Sequence, residues 1–200
     1  MSNQVIVISR QFGSGGRKIG KILSDRLQIP YYDMALIEIA SKRSEADYNS
    51  LLEVDEKRIS RRWYSFPMEV GPGYQMKKIP MNEELFSLQA EIIKDLANQS
   101  PCIIIGRGAD YILRGNERML SVFIHADMEV KLEVVCRHYN LSREDAAALI
   151  RRTDKQRSAY YNYYTEYKWG DIDNYDISLD RGRIGIDKCV DILEMLYRSL

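Results

Sequence analysis

The chain has 200 residues, with 29 Lys and Arg against 29 Asp and Glu, so its formal net charge is zero. That length suits one α/β domain with a substantial core, and the balanced charge gives no reason to expect a nucleic-acid or anionic-membrane partner. No apolar run approaches the ~20 residues that span a bilayer, and Val5-Ile6-Val7-Ile8 follows no basic leader, so a signal peptide is not expected.

Cys102, Cys136 and Cys189 lie far apart in apolar runs and read as core thiols, not as a disulfide frame or metal site. Two histidines, His125 and His138, are too few for a His-based metal centre. A cytoplasmic setting is expected.

Gln4 to Ser9 is an apolar, β-branched run that predicts a buried strand. A glycine-rich turn follows, and then Ile19, Ile22, Leu23 and Leu27 recur at helical spacing. Strand, glycine loop and helix open a βαβ unit. Ile29 to Asp33 is a second, shorter strand ending in an acid, with a helix expected from about Met34 to Lys42. Residues 44–81 read as an acceptor-side insertion or flap, or equally as an exposed loop with a short helix. Asn82 is placed to cap a helix with Leu85, Leu88, Ile92 and Leu96 on its inner face.

Pro101 to Gly106 predicts the clearest buried strand, and Met119 to His125 another. Leu132, Val135, Cys136 and Tyr139 mark the next helix. Ser142-Arg143-Glu144-Asp145 is a capping box opening a long helix to about Tyr160. Tyr175 to Leu179 reads as a last strand, and Ile186, Val190, Leu193 and Tyr197 as a closing helix. This alternation implies a parallel sheet covered on both faces. Ligands bind such sheets at the strands' carboxyl ends, where Gly13 to Lys18, Asp33, Gly106-Arg107 and His125 to Asp127 all fall.

Phosphoryl groups need many donors and a close backbone approach. Glycine allows both, and a following helix adds free N–H groups and its positive dipole end. Gly13, Ser14, Gly15, Gly16, Arg17 and Lys18 sit in that context. The match to G-x-x-x-x-G-K-[ST] is imperfect. Aligned on Gly16, the first glycine becomes Gln11, the lysine becomes Arg17 and the hydroxyl residue becomes Lys18. Arg17 can still bridge phosphate oxygens. Lys18 has no lone pair for Mg²⁺, which leaves Ser14 and Asp33 as candidate metal ligands. A tight glycine turn of no chemical role is the bland alternative.

Five stretches, Ile8 to Arg17, Ile29 to Asp33, Ile104 to Leu113, Asp154 to Arg157 and Tyr175 to Leu179, together resemble the cytidylate kinase-like family of P-loop proteins, in order and over nearly the whole chain. The resemblance implies one three-layer P-loop NTPase domain over residues 1–200. It would have a five-stranded parallel sheet, helices on both faces and a helical lid at about 142–170. It implies ATP as phosphoryl donor, Mg²⁺ and a nucleoside monophosphate-like acceptor. It carries a nucleotide-holding role to Arg107, and places Asp154 and Arg157 around the transferring phosphate. Departures lie on the acceptor side. Met34 and Ala35 stand where cytidylate kinases place Ser-Gly, Ile39 stands for an arginine, and Ile150 stands for a lid arginine, with Arg151 and Arg152 adjacent.

In-line transfer needs cations around the equatorial oxygens and closure against water. Arg151, Asp154, Lys155 and Ser158 share one face at about 100° per residue, with Arg157 beside Asp154. They form a lid or an ordinary solvated face. The five tyrosines from Tyr160 to Tyr167 either stack on a base or pack the lid onto the body or a partner subunit, so a homodimer stays open. Arg107 is a clamp, or else an ion-pair partner of Asp110.

The reading assigns transfer to Arg17, Asp33, Arg151 and Arg157, and acceptor binding to Asp33, Arg107, Arg152, Asp154 and Arg157. Its rivals are a non-catalytic nucleotide-binding or sensory module, and a kinase for a non-nucleotide small molecule.

Overall fold

A computed structural model describes residues 2–33 and 83–200. Five parallel strands form one sheet: β1 (Val5–Arg10), β2 (Tyr31–Asp33), β3 (Cys102–Ile105), β4 (Met119–His125) and β5 (Ile177–Asp180), in the order β2-β3-β1-β4-β5. Val5 to Ile8 and Cys102 to Ile105 are fully buried. β-Branched residues suit strands covered on both faces.

Among the described residues the α-helices are α1 (Gly16–Leu27), α2 (Glu83–Gln99), α3 (Ala109–Ile112), α4 (Met128–Tyr139), α5 (Arg143–Thr165), α6 (Arg181–Ile184) and α7 (Ile186–Ser199). On one face, Ile19 and Leu23 of α1 and Val190 and Leu193 of α7 pack against Ile6, Ile8, Ile103 and Val122. On the other, Ile92, Ile93 and Leu96 of α2 meet Val5, Val7 and Ile104. Each such fully buried side chain contributes about 1.5–3 kcal/mol. A third cluster joins Phe12 to Leu132 and Val135 of α4 and to Ala146, Leu149 and Ile150 of α5. The lid segment's first half is thereby packed on the glycine loop's approach.

The α1 connection from β1 to β2 passes a position that β3 fills, and the chain then crosses β1 to reach β4. Connections on the two sides of β1 run in opposite directions, so the loop after β1 opens at a topological switch point. Register fixes the ends: Ile105 pairs with both Ile8 and Asp33, and β1 runs two residues further, to Arg10. Asp33, Gly106 and Arg10 therefore meet at one edge.

Several expectations change. The inner face of α2 is Gln89, Ile92, Ile93 and Leu96, and Leu88 is 40% exposed. Gln89 turns inward because its Oε1 accepts the Tyr160 hydroxyl at 3.0 Å. The last strand begins at Ile177, because the Asp176 carboxylate turns to accept the Ser121 N–H and hydroxyl. The helix opened by Ser142 runs to Thr165, five residues past Tyr160. The Met34 to Lys42 helix, the Asn82 cap and the 44–81 segment lie outside the described residues. Among the described residues no helix is long and apolar enough to cross a membrane.

Candidate phosphate and nucleotide site

The loop from Gln11 to Gly15 reverses the chain between β1 and α1. Gly13 (φ 78°) and Gly15 (φ 85°) take left-handed conformations that a side chain would strain. Gly15 is the N-cap of α1, and the first helical bond runs from the Ile19 N–H to the Gly15 carbonyl at 3.0 Å. The amides of Gly16, Arg17 and Lys18 precede that bond and face outward for an anion, reinforced by the helix dipole. No acid in the first turn competes for them. Arg17 and Lys18 are exposed, whereas Ser14 is fully buried and donates to the Gln11 carbonyl at 2.8 Å.

The unexpected Gln11 has a structural role. Its Oε1 accepts from the Lys131 Nζ at 3.1 Å and from the Ala126 N–H at 3.4 Å. Lys131 is only 6% exposed and lies 3.7 Å from Asp154 Oδ2. Asp154 Oδ1 accepts the Phe12 N–H at 2.7 Å. A buried lysine of α4 and an acid of α5 thus hold the loop from beneath. Burial raises the Asp154 pKa, opposed by the Phe12 N–H and by Arg157 and Lys131.

Above this lies a guanidinium cluster. Arg17 grips Asp33 with two contacts, Nε to Oδ2 at 2.6 Å and Nη2 to Oδ1 at 3.3 Å. Arg10, with its side chain 11% exposed, reaches within 3.9 Å of the same carboxylate. Arg157 donates its Nη1 to the Arg10 carbonyl at 3.0 Å and lies over the Phe12 ring. Burial lowers the pKa of Arg10 to about 10, with Arg17 and Arg107 adding to the fall and Asp33 opposing it. Burial also lowers that of Arg157 well below its usual value, with Arg10 adding to it. Asp33, Arg17, Asp154 and Arg157 are brought together as the sequence suggested. Arg151 and Arg152 stand on the exposed side of α5, and Ile150 is core.

Arg107 follows β3 in a run of left-handed residues, Gly106, Arg107 and Gly108, and its guanidinium lies 4.9 Å from the Tyr160 ring centre. Asp110 accepts the Tyr161 hydroxyl at 2.6 Å. Tyr160 and Tyr161 are buried, so this part of the cluster packs α5 onto α2 and α3. Three functional candidates escaped the sequence reading: Lys131, Arg10 and Arg181. The Arg181 Nε lies 3.2 Å from where a Cβ on Gly15 would stand, on the β5 side of the loop.

Among the described residues no group of three His, Cys, Asp or Glu side chains could hold a metal by itself. The donors fit a Mg²⁺ ion carried on nucleotide phosphates, which keeps several waters and needs one carboxylate. Asp33, once released by Arg17, would be the carboxylate at hand. Ser14, turned inward onto the Gln11 carbonyl, fits poorly as a direct ligand.

The chain matches the model of the cytidylate kinase-like family over residues 5–183. Among solved structures it is similar to an uncharacterized protein from Eubacterium ventriosum, at 26% identity and TM-score 0.74, covering 99% of this chain and 100% of that one. Shikimate kinase from Acinetobacter baumannii in complex with shikimate shares 14% identity at TM-score 0.52, over 98% and 94% of the two chains. A gluconokinase from Sinorhizobium meliloti shares 14% at TM-score 0.51, over 98% and 94%. The last two likenesses show the kinase fold. No curated protein sequence matches the chain.

Proposed function

This chain belongs to the cytidylate kinase-like family, and we propose that it transfers the γ-phosphoryl group of ATP to a small acceptor resembling a nucleoside monophosphate. One observation carries the reading. At the switch point, four cations (Arg10, Arg17, Arg157 and Lys131) face two carboxylates (Asp33 and Asp154) beside free helix amides. Arg17 is exposed, but Lys131 is buried and Arg10 nearly so, and an excess of positive charge at so enclosed a place calls for an anion.

The backbone from Gly13 to Gly16 would cradle the donor phosphates, with Arg17 and Lys18 neutralising them. Arg17 must first leave Asp33. That pair is partly exposed on the Arg17 side, and exchanging one ionic partner for another there costs little. Asp33 is then released to orient the acceptor or hold a metal-bound water. Mg²⁺, when bound, would supply charge neutralisation between the donor phosphates. Arg107, Arg152, Asp154 and Arg157 are assigned to the acceptor and transferring group, and Arg151 to the latter on closure.

A panel assay tests this. The protein is incubated with ATP, Mg²⁺ and CMP, dCMP, other nucleoside monophosphates, shikimate or gluconate, and ADP release is recorded. Turnover driven by a nucleoside monophosphate supports the reading. Turnover driven only by shikimate or gluconate sinks its acceptor half. ATP binding with no acceptor-dependent turnover favours a binding module, a second reading that the inward-facing Ser14 and the exposed Lys18 motivate.

A further inference from the structure

Arg10 is a residue for which space has been cleared twice. A Cβ on Gly16 would lie 2.7 Å from the Arg10 Cβ, and a Cβ on Gly106 would lie 1.9 Å from its Nη1. Gly16 shows no left-handed φ, so room for Arg10 is what its missing side chain supplies. The arginine leaves the end of β1, passes beneath the start of α1 and lays its guanidinium across the end of β3 toward Asp33 of β2.

This guanidinium is poorly satisfied. Its Nε is buried without a hydrogen-bond partner. Asp33 Oδ1, at 3.9 Å, is beyond hydrogen-bond distance and is engaged by Arg17. Buried donors are nearly always paired, and an exception asks for a reason. A purely structural arginine would be surrounded by acceptors. Arg10 has one carboxylate nearby, Asp33, and that is shared with Arg17; Arg17 and Arg107 oppose its charge, and Arg157 is bonded to its carbonyl.

Position separates the two halves of the site. Arg181 leans on Gly15 from the β5 side. Arg10 points the opposite way, to the β2 and β3 ends, where Asp33 stands. We propose that Arg10 binds the anionic phosphate of the acceptor, its guanidinium forming the floor of an acceptor-phosphate subsite between Asp33 and Gly106. The proposal rests on the phosphotransferase reading above and deepens it. A planar guanidinium matches phosphate oxygens bidentately, and the bound anion would satisfy Nε and offset the excess charge.

The test uses the full chain and two probes: AMP-PNP with Mg²⁺ for the donor side, and inorganic phosphate for the acceptor side. Inorganic phosphate is titrated calorimetrically into protein saturated with AMP-PNP and Mg²⁺, for wild type, Arg10→Met and Arg10→Lys. The expected result is phosphate binding to wild type, weakened at least 10-fold in Arg10→Met and partly restored in Arg10→Lys. AMP-PNP affinity should stay within about twofold in each. Should Arg10→Met fail to fold, as read by circular dichroism, Arg10→Lys alone decides. Its point charge must bind phosphate measurably more weakly than wild type.

Equal phosphate binding in wild type and variants overturns the proposal, as does a parallel loss of AMP-PNP, which would make Arg10 a donor-side residue. Absence of phosphate binding to the wild-type AMP-PNP complex overturns it too. Failure of AMP-PNP to bind wild type counts against the phosphotransferase reading instead. The phosphate titration is then run on the free protein, where an Arg10-dependent signal upholds the anion subsite and its absence rejects it.

Discussion

The Asp154 carboxylate accepts the Phe12 N–H at 2.7 Å, joining two points 142 residues apart in the chain. Its other oxygen lies 3.7 Å from the buried Lys131. The middle of α5 is thus tied to the turn that leads into the glycine loop. Asp154→Ala leaves the Phe12 amide without its acceptor and Lys131 with Gln11 but without its carboxylate partner, and should cost about 2 kcal/mol in urea unfolding. Nucleotide affinity should fall with it, since the loop loses its tether. Asp154→Asn keeps an acceptor for Phe12 and should cost less than half as much.

Arg17 is half-exposed and holds Asp33. Arg17→Ala should leave the fold intact, with a change in unfolding free energy of about 1 kcal/mol or less. ATP affinity should drop roughly 100-fold if its guanidinium meets phosphate. Thermal unfolding with and without ATP reads both effects. An unchanged ATP-dependent shift would remove Arg17 from the site.

Asp110 gives a pH prediction. It is 5% exposed, and burial raises its pKa against the opposing effects of the Tyr161 hydroxyl, the Asp110 and Tyr111 amides and the Ser9 hydroxyl. The folded pKa exceeds the unfolded value of about 3.9, so ionisation costs more in the folded state. Stability from this group is greatest below the unfolded pKa and falls as pH rises through the folded one. Asp110→Asn still accepts the Tyr161 hydroxyl. It should unfold at a higher temperature than wild type at pH 7, with the gap closing toward pH 3. Differential scanning calorimetry across that range checks the sign.

Arg151 and Arg152 are exposed on α5, so neutral substitutions should change stability by no more than about 0.5 kcal/mol. Their assigned role is in the closed complex. There, loss of either should lower kcat by roughly 100-fold, the scale seen for one lost transition-state donor. Steady-state ADP release with an active acceptor measures it. Wild-type turnover in both variants would return the pair to the solvated surface.

Much of the scaffold was legible because it is written in local pattern. The β-branched run of β1, the glycines after it and the 3.6-residue period of α1 each announce themselves within a dozen residues. Arg17 and Asp33 were named from their place at the glycine loop and strand end and Asp154 from the family resemblance, and the structure places all three around that loop. Other features depend on tertiary placement. Lys131 sits in a helix with charged neighbours and looks like a solvated lysine until α5 covers it. Arg10 lies one residue past an apolar run and gains meaning only from Gly16 and Gly106. Leu88 misled because Gln89, bonded to Tyr160, takes the inward position beside it. The local signal for Arg10 is an arginine directly before the glycine loop.

If the loop from Gly13 to Lys18 binds the phosphates of a donor nucleotide, calorimetric titration of ATP with Mg²⁺ into the full chain should show it. One site per chain is expected, with the heat lost in folded Arg17→Ala. No heat from either ATP or GTP, at concentrations into the millimolar range, would contradict it.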